Sequence, residues 1–178
     1  AHYFQEKLEE AIGIPILNAV EETALCLRQW KIHRVGILAT DGSLESGLFQ
    51  KAFMERGISC LTPDRDGQRQ VMRIIYENVK AGRPVDLAAF WRVSDRLLES
   101  GAQAVLLACT ELSVVKRDLK LQDGFLDVME VLARQAVLAC GRLKGEYECL
   151  LDGKAHIQRS GHAEPCTGLF KGNREKEA

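Results

Sequence analysis

Apolar positions along this chain fall into two alternating registers. Short runs such as Val35-Gly36-Ile37-Leu38-Ala39 and Ala104-Val105-Leu106-Leu107-Ala108 alternate with longer segments whose apolar residues recur every three or four positions. That alternation of strand-like and helical periods argues for an α/β architecture. A first helix runs from about Tyr3, with Phe4, Leu8, Ala11 and Ile12 on one stripe. Ile14-Pro15-Ile16-Leu17 reads as a short strand or an extended link, and Asn18 with Glu21 opens a helix in capping-box fashion through about Lys31. The strand 35–39 leads into a turn, Thr40-Asp41-Gly42-Ser43, and then a helix aligning Leu44, Leu48 and Ala52.

Ile58-Ser59-Cys60-Leu61 is the next strand. Val71, Ile74, Ile75 and Val79 form one helical face, and Leu87, Phe90, Trp91, Leu97 and Leu98 another. Beyond the strand that ends at Cys109, a later helix points Met129, Leu132, Ala133, Ala136, Val137 and Cys140 inward. Gly57, Gly82, Gly101 and Gly141 each follow a proposed helix, where glycine enters the left-handed conformation without a Cβ penalty. Cys26, Cys60 and Cys140 fall in these apolar patterns and read as core. From Gly145 the pattern decays into a polar, glycine-dotted tail over 145–178 that reads as disordered.

Composition narrows the class. With 178 residues, 46% hydrophobic and 28% charged, the chain fits one globular domain, or one plus a fragment. A net charge of -1 leaves no electrostatic footprint for nucleic acid. No apolar run approaches the roughly 18 residues of a membrane helix, and no signal peptide is visible. Six cysteines are too sparse for a disulfide scaffold, which favours a reducing cytoplasm. The opening Ala-His-Tyr in place of Met reads as a processed chain or a piece of a longer one.

Cys109-Thr110-Glu111 carries the chemistry. A thiol at the carboxyl end of an α/β strand, with a helix starting behind it, stands where such folds place reactive groups. Backbone N–H groups opening that helix can hold an anion and draw a thiol toward thiolate. In the polar tail, Cys149, His156, His162 and Cys166 could bind zinc by residue type, but no Cys-x-x-Cys knuckle accompanies them, so no metal site is assigned. The single glycine of Thr40-Asp41-Gly42-Ser43 does not make a phosphate loop.

Val-Gly-Ile-Leu-Ala-Thr-Asp-Gly-Ser at 35–43 and Leu-Leu-Ala-Cys-Thr-Glu-Leu at 106–112 resemble two motifs of the aspartate/glutamate racemases. Pro63-Asp64 through Gln68 and Ile75-Tyr76-Glu77-Asn78-Val79-Lys80 match the same pattern, so the resemblance covers roughly residues 1–143. It implies a three-layer, Rossmann-like parallel-sheet lobe, the second half of a two-lobed pseudo-symmetric fold with the substrate in the cleft. On that reading 19–122 is the lobe carrying Cys-Thr-Glu, and 1–18 with 123–144 are remnants of the first lobe. Ala1-His2-Tyr3-Phe4 resembles the tail of the first lobe's Cys-Asn-Thr-Ala-His motif, so that lobe's cysteine would be missing. Ala108 also replaces the glycine usual before Cys-Thr-Glu.

The resemblance further implies a cofactor-independent amino-acid racemase, without pyridoxal phosphate, acting on an acidic or related amino acid, and makes a homodimer plausible. Racemisation removes a proton from one face of the α-carbon and returns one to the other, so two opposed acid/base groups are wanted. Cys109 is the candidate for one face. Thr40, Ser43 and Thr110 are placed to hold the substrate carboxylate against carbanion charge; the resemblance implies that Lys80 lies near the substrate cleft, and Glu111 is a candidate to contact substrate or orient the site. Bland readings stand beside these: a structural Cys109, a dipole-facing Glu111, a cap at Thr110, turn residues at Thr40 and Ser43, and Lys80 as an ordinary last-turn lysine. A related hydantoin racemase or maleate isomerase keeps the scaffold with another substrate. The rival from another class is an inactive or ligand-binding truncated remnant.

Overall fold

In a computed structural model, which describes residues 5–14, 16–121 and 124–144, the two apolar runs become the central strands of a sheet. β1 (Arg34–Leu38) and β3 (Ala104–Leu107) lie side by side, flanked by β2 (Ser59–Leu61) and β4 (Phe125–Asp127). The order is β2-β1-β3-β4 and every pairing is parallel. Side chains alternate faces along a strand, so each strand feeds two cores. Val35, Ile37, Ala39, Ala104 and Leu106 enter one, with α2 (Ala19–Gln29), α4 (Leu48–Met54) and α8 (Val128–Cys140). Leu38, Val105 and Leu107 enter the other, with α5 (Arg65–Arg73), α6 (Leu87–Glu99) and α7 (Thr110–Leu119). The molecule therefore has the α/β architecture that the alternation implies, with the three-layer parallel sheet that the resemblance implies.

Gly36 is the exception to that alternation, and α6 explains it. A Cβ there would stand 2.9 Å from Leu97 Cβ, so helix and sheet approach closely only because position 36 has no side chain. Gly36→Ala is expected to destabilise the chain by about 1–3 kcal/mol through overpacking. Chemical denaturation would read this as a lower midpoint, and an unchanged midpoint would mean that α6 can retreat freely.

Several elements differ from the pattern's expectation. Residues 41–45 are a short helix, α3 (Asp41–Glu45), not a turn, because Thr40 is an N-cap whose hydroxyl accepts from Ser43 N–H. The helix expected through Leu44, Leu48 and Ala52 is interrupted where Gly47, at φ +67°, ends α3 and starts α4. The apolar face 71–79 is an α-helix that turns into a π-helix at Ile74–Val79. The three residues of β4 are too few for a period to register, and the strand was not expected.

Asn18 does cap α2, accepting from the N–H groups of Val20 and Glu21, while α1 covers Gln5–Ile12. Ile14, Ile16 and Leu17 form an irregular link, not a strand. The inward set on α8 shrinks to Val128 and Val131, with Leu132 half-buried. Met129, Ala133, Ala136, Val137 and Cys140 are exposed, because this helix is apolar around most of its circumference and packs along one stripe. Cys140 is therefore not core, whereas Cys26 is buried and Cys60 half-buried. Gly57, Gly82 and Gly101 take positive φ, but Gly141 is extended at φ −176°. Residues 1–4, the expected tail over 145–178 and its Cys149, His156, His162 and Cys166 lie outside the described residues.

Candidate active site

The strand order creates the site. From β1 the chain moves outward to β2, then returns to place β3 on the other side of β1. The carboxyl ends of β1 and β3 therefore diverge into helices of opposite layers, leaving the crevice where open α/β sheets bind ligands. Thr40 and Ser43 follow β1, and Cys109 and Thr110 follow β3. Ser43, Cys109 and Thr110 line one groove of about 250 Å³, together with apolar residues from the first turns of α2, α4 and α8.

All six residues singled out from the sequence join one constellation. Cys109 Sγ donates to Glu111 Oε2 at 2.7 Å, and Thr110 Oγ1 donates to the same oxygen at 3.1 Å. The other oxygen, Oε1, lies 3.6 Å from Lys80 Nζ. Across the groove, Thr40 Oγ1 and Ser43 Oγ share a hydrogen bond of 2.9 Å. Thr40, Lys80 and Glu111 are not in the groove wall: Thr40 reaches it through Ser43, Glu111 through its bonds to Cys109 and Thr110, and Lys80 through Glu111. Cys109 is itself the N-cap of α7 but makes no side-chain cap bond, so no side chain closes that helix end.

Electrostatics reverse one expectation. The helix start does not leave Cys109 a thiolate: burial, reinforced by the Glu111 carboxylate that accepts its proton, pushes the thiol up to about 11. The Glu111 backbone N–H and the Lys80 charge oppose the rise without cancelling it. Glu111 moves the other way. Its carboxyl is held below the usual value, first by the Cys109 hydrogen bond and further by Thr110 and Lys80. The pair is thus a protonated thiol aimed at an ionised carboxylate, an arrangement that can pass a proton in either direction once a ligand changes the balance.

Supporting residues escaped the sequence reading. Gln68 Nε2 donates to Ala39 O at 3.0 Å and Asp41 Oδ1 at 2.8 Å, pinning the corner between β1 and α3 that carries Thr40 and Ser43. Tyr76 lies under Lys80, with Nζ 4.3 Å from the ring centroid. Asp127, buried at the end of β4, accepts from Ser113 Oγ and Met129 N and fixes the start of α8 beside the groove. Gln68 and Tyr76 fall in stretches that matched the motif pattern, the available signal for both. Asp127 carries no such signal. No group of three or more His, Cys, Asp or Glu side chains able to hold a metal occurs among the described residues.

Known proteins were compared with the chain. A family model described as Asp/Glu/hydantoin racemase matches residues 1–136. A Pectobacterium carotovorum protein, described as uncharacterised and lying in the pnlA 3′ region, is 29% identical over 136 residues, 73% of this chain and 88% of its own. The broad specificity amino-acid racemase RacX of Bacillus subtilis is 23% identical over 137 residues, 77% of this chain and 60% of its own. The crystal structure of a candidate Asp/Glu racemase from Yersinia pestis superposes with a TM-score of 0.69 at 28% identity, covering 78% of this chain and 61% of that one. The chain thus spans about 60% of the length of the Bacillus relative and of the Yersinia structure.

Proposed function

The chain belongs to the Asp/Glu/hydantoin racemase family, and on that premise we propose that its groove binds an acidic or related amino acid and that Cys109 exchanges the α-proton on one face. The observation that carries the reading is the Cys109–Glu111 pair, hydrogen-bonded at 2.7 Å at the mouth of the β1/β3 crevice. As a thiol, Cys109 is the donor that delivers a proton to a carbanion; once Glu111 or the carbanion has taken its proton, the thiolate is the base for the reverse direction. The hydroxyls of Ser43 and Thr110 and the first turn of α7 supply donors for the carboxylate into which carbanion charge spreads. Pyridoxal phosphate has no part in this scheme.

A second acid/base group must face Cys109 across the α-carbon. Among the described residues, Cys26 is buried in α2, Cys60 is half-buried in β2 and Cys140 ends α8, and none of the three lines the groove. We assign the opposing group to the portion of the family fold that the match leaves uncovered, and read 19–122 as the lobe bearing Cys-Thr-Glu. The described parts of 1–18 and 123–144, α1 and α8 among them, then form the flank turned toward the first lobe, although β4 continues the same sheet. The exposure of Leu8, Ile12, Val137 and Leu138 on α1 and α8 supports that placement.

The test joins the chain to the uncovered portion of a full-length relative and follows each enantiomer of aspartate and glutamate in deuterated water. Deuterium at the α-carbon should appear in step with loss of optical activity, and removal of pyridoxal phosphate should change neither. The 178-residue chain alone should give no turnover. Exchange without racemisation in the joined protein, or turnover that depends on pyridoxal phosphate, would overturn the mechanism.

A further inference from the structure

The π-helical turn Ile74–Val79 has no part in the scheme above, yet it stands against the helix that carries Glu111. Helices of this kind are rare and concentrate at functional sites, because the extra residue per turn re-aims a side chain. Buried Ile74 and Ile75 anchor the turn in the core, and Lys80 N donates to Ile75 O at 3.0 Å, the five-residue spacing of the π form. Past that anchor, Tyr76 and Lys80 emerge together on the exposed side. Tyr76 presents its ring 4.3 Å from the Lys80 ammonium, which in turn stands 3.6 Å from Glu111 Oε1.

We propose that Tyr76 and Lys80 are positioning residues for the acid/base pair: the Tyr76 ring fixes the Lys80 ammonium beside Glu111 Oε1, which keeps Oε2 turned onto Cys109 Sγ. The inference rests on the Cys109–Glu111 couple described above and gives Lys80 a role through Glu111 in place of substrate contact. A flexible lysine exposed at the end of a helix samples many rotamers, and an aromatic face narrows them. A carboxylate with one oxygen beside a cation and the other accepting two hydrogen bonds is held toward the thiol. The neighbouring charges are already engaged. Glu77 on the same turn pairs with Arg73, and Asp127 on the adjoining strand end accepts from Ser113 and Met129. Lys80 and Glu111 are the charged groups acting on the thiol.

Two roles for Lys80 predict opposite signs. As a bare cation it favours thiolate, so its loss slows alkylation of Cys109. As the clamp on Glu111 it holds the S–H bond in place, so its loss frees the thiol and speeds alkylation. The experiment reads iodoacetamide labelling of Cys109 between pH 7 and 10 by peptide-resolved mass spectrometry, in the folded chain without substrate. Lys80→Met should accelerate labelling about two- to fivefold, the range a solvent-exposed ion pair supports. Tyr76→Ala should act in the same direction, with Tyr76→Phe and Lys80→Arg staying near the unsubstituted rate.

In a Glu111→Gln background the acceleration by Lys80→Met should disappear, since there is no carboxylate left to hold. Slowed or unchanged labelling in Lys80→Met, or the same acceleration in the Glu111→Gln background, would overturn the proposal. Labelling needs no turnover, so either result stands apart from whether the protein racemises amino acids.

Discussion

Replacing Cys109 by serine is expected to abolish exchange of the substrate α-proton in the chain joined to the uncovered portion of a full-length relative, with a loss of at least about 10²–10⁴-fold. A serine hydroxyl ionises far above the thiol, so it neither delivers nor removes a proton from carbon at a useful rate. Folding should change little. The thiol is half-buried and fills no deep cavity, and serine retains a donor for the 2.7 Å bond to Glu111. Turnover measured in deuterated water, with thermal unfolding as the control, separates the two readings of this residue. Full activity in Cys109→Ser would make Cys109 a structural cysteine and remove the proposed function. Lost activity accompanied by a large fall in stability would point the same way.

Glu111→Gln should move two observables in opposite directions. Burial is the larger cause of the high thiol value and remains after the substitution, but the hydrogen bond to a carboxylate and the repulsion between carboxylate and thiolate both disappear. Each of those favours the protonated sulfur, so the thiol falls from about 11 toward its ordinary value. Near pH 8 the thiolate fraction rises tenfold for each unit of that fall, and labelling of Cys109 should increase by up to about tenfold. Turnover should nevertheless drop by about 10²-fold or more, because glutamine cannot accept the proton and reset the couple. A more reactive thiol in a slower enzyme is the signature of a proton partner. If turnover were kept while labelling rose, Glu111 would be only a helix-dipole residue beside the site.

Much of the architecture is legible in the sequence because it rests on long-range pattern. The runs 35–39 and 104–107 are buried on both faces, so they stay apolar without a break and announce a parallel sheet. Cys109-Thr110-Glu111 is legible for a related reason, since a strand end followed by a helix start is a place, and the place limits the chemistry. What the pattern could not carry is everything set by two or three residues. β4 is too short to show a period, and the split of the helix at Gly47 depends on one backbone angle. The exposed side of α8 is as apolar as its buried side, so periodicity cannot tell them apart. The raised value of the Cys109 thiol is not legible from the helix start, because it depends first on burial and then on the carboxylate two residues on, and both appear only in three dimensions.

The two layers of the molecule divide the work of the site between them. The groove wall is drawn mostly from α2, α3, α4 and α8, while Glu111, Lys80 and Tyr76 come from α7 and the π-helical turn across the sheet. Cys109 sits at the seam, one residue beyond Ala108, which packs with the first layer. On the proposed function, substitutions in the α2, α4 and α8 part of the wall are expected to change which side chain is admitted while leaving the Cys109–Glu111 pair in place. Specificity and proton transfer would then answer to different layers of the fold, so each could be altered alone.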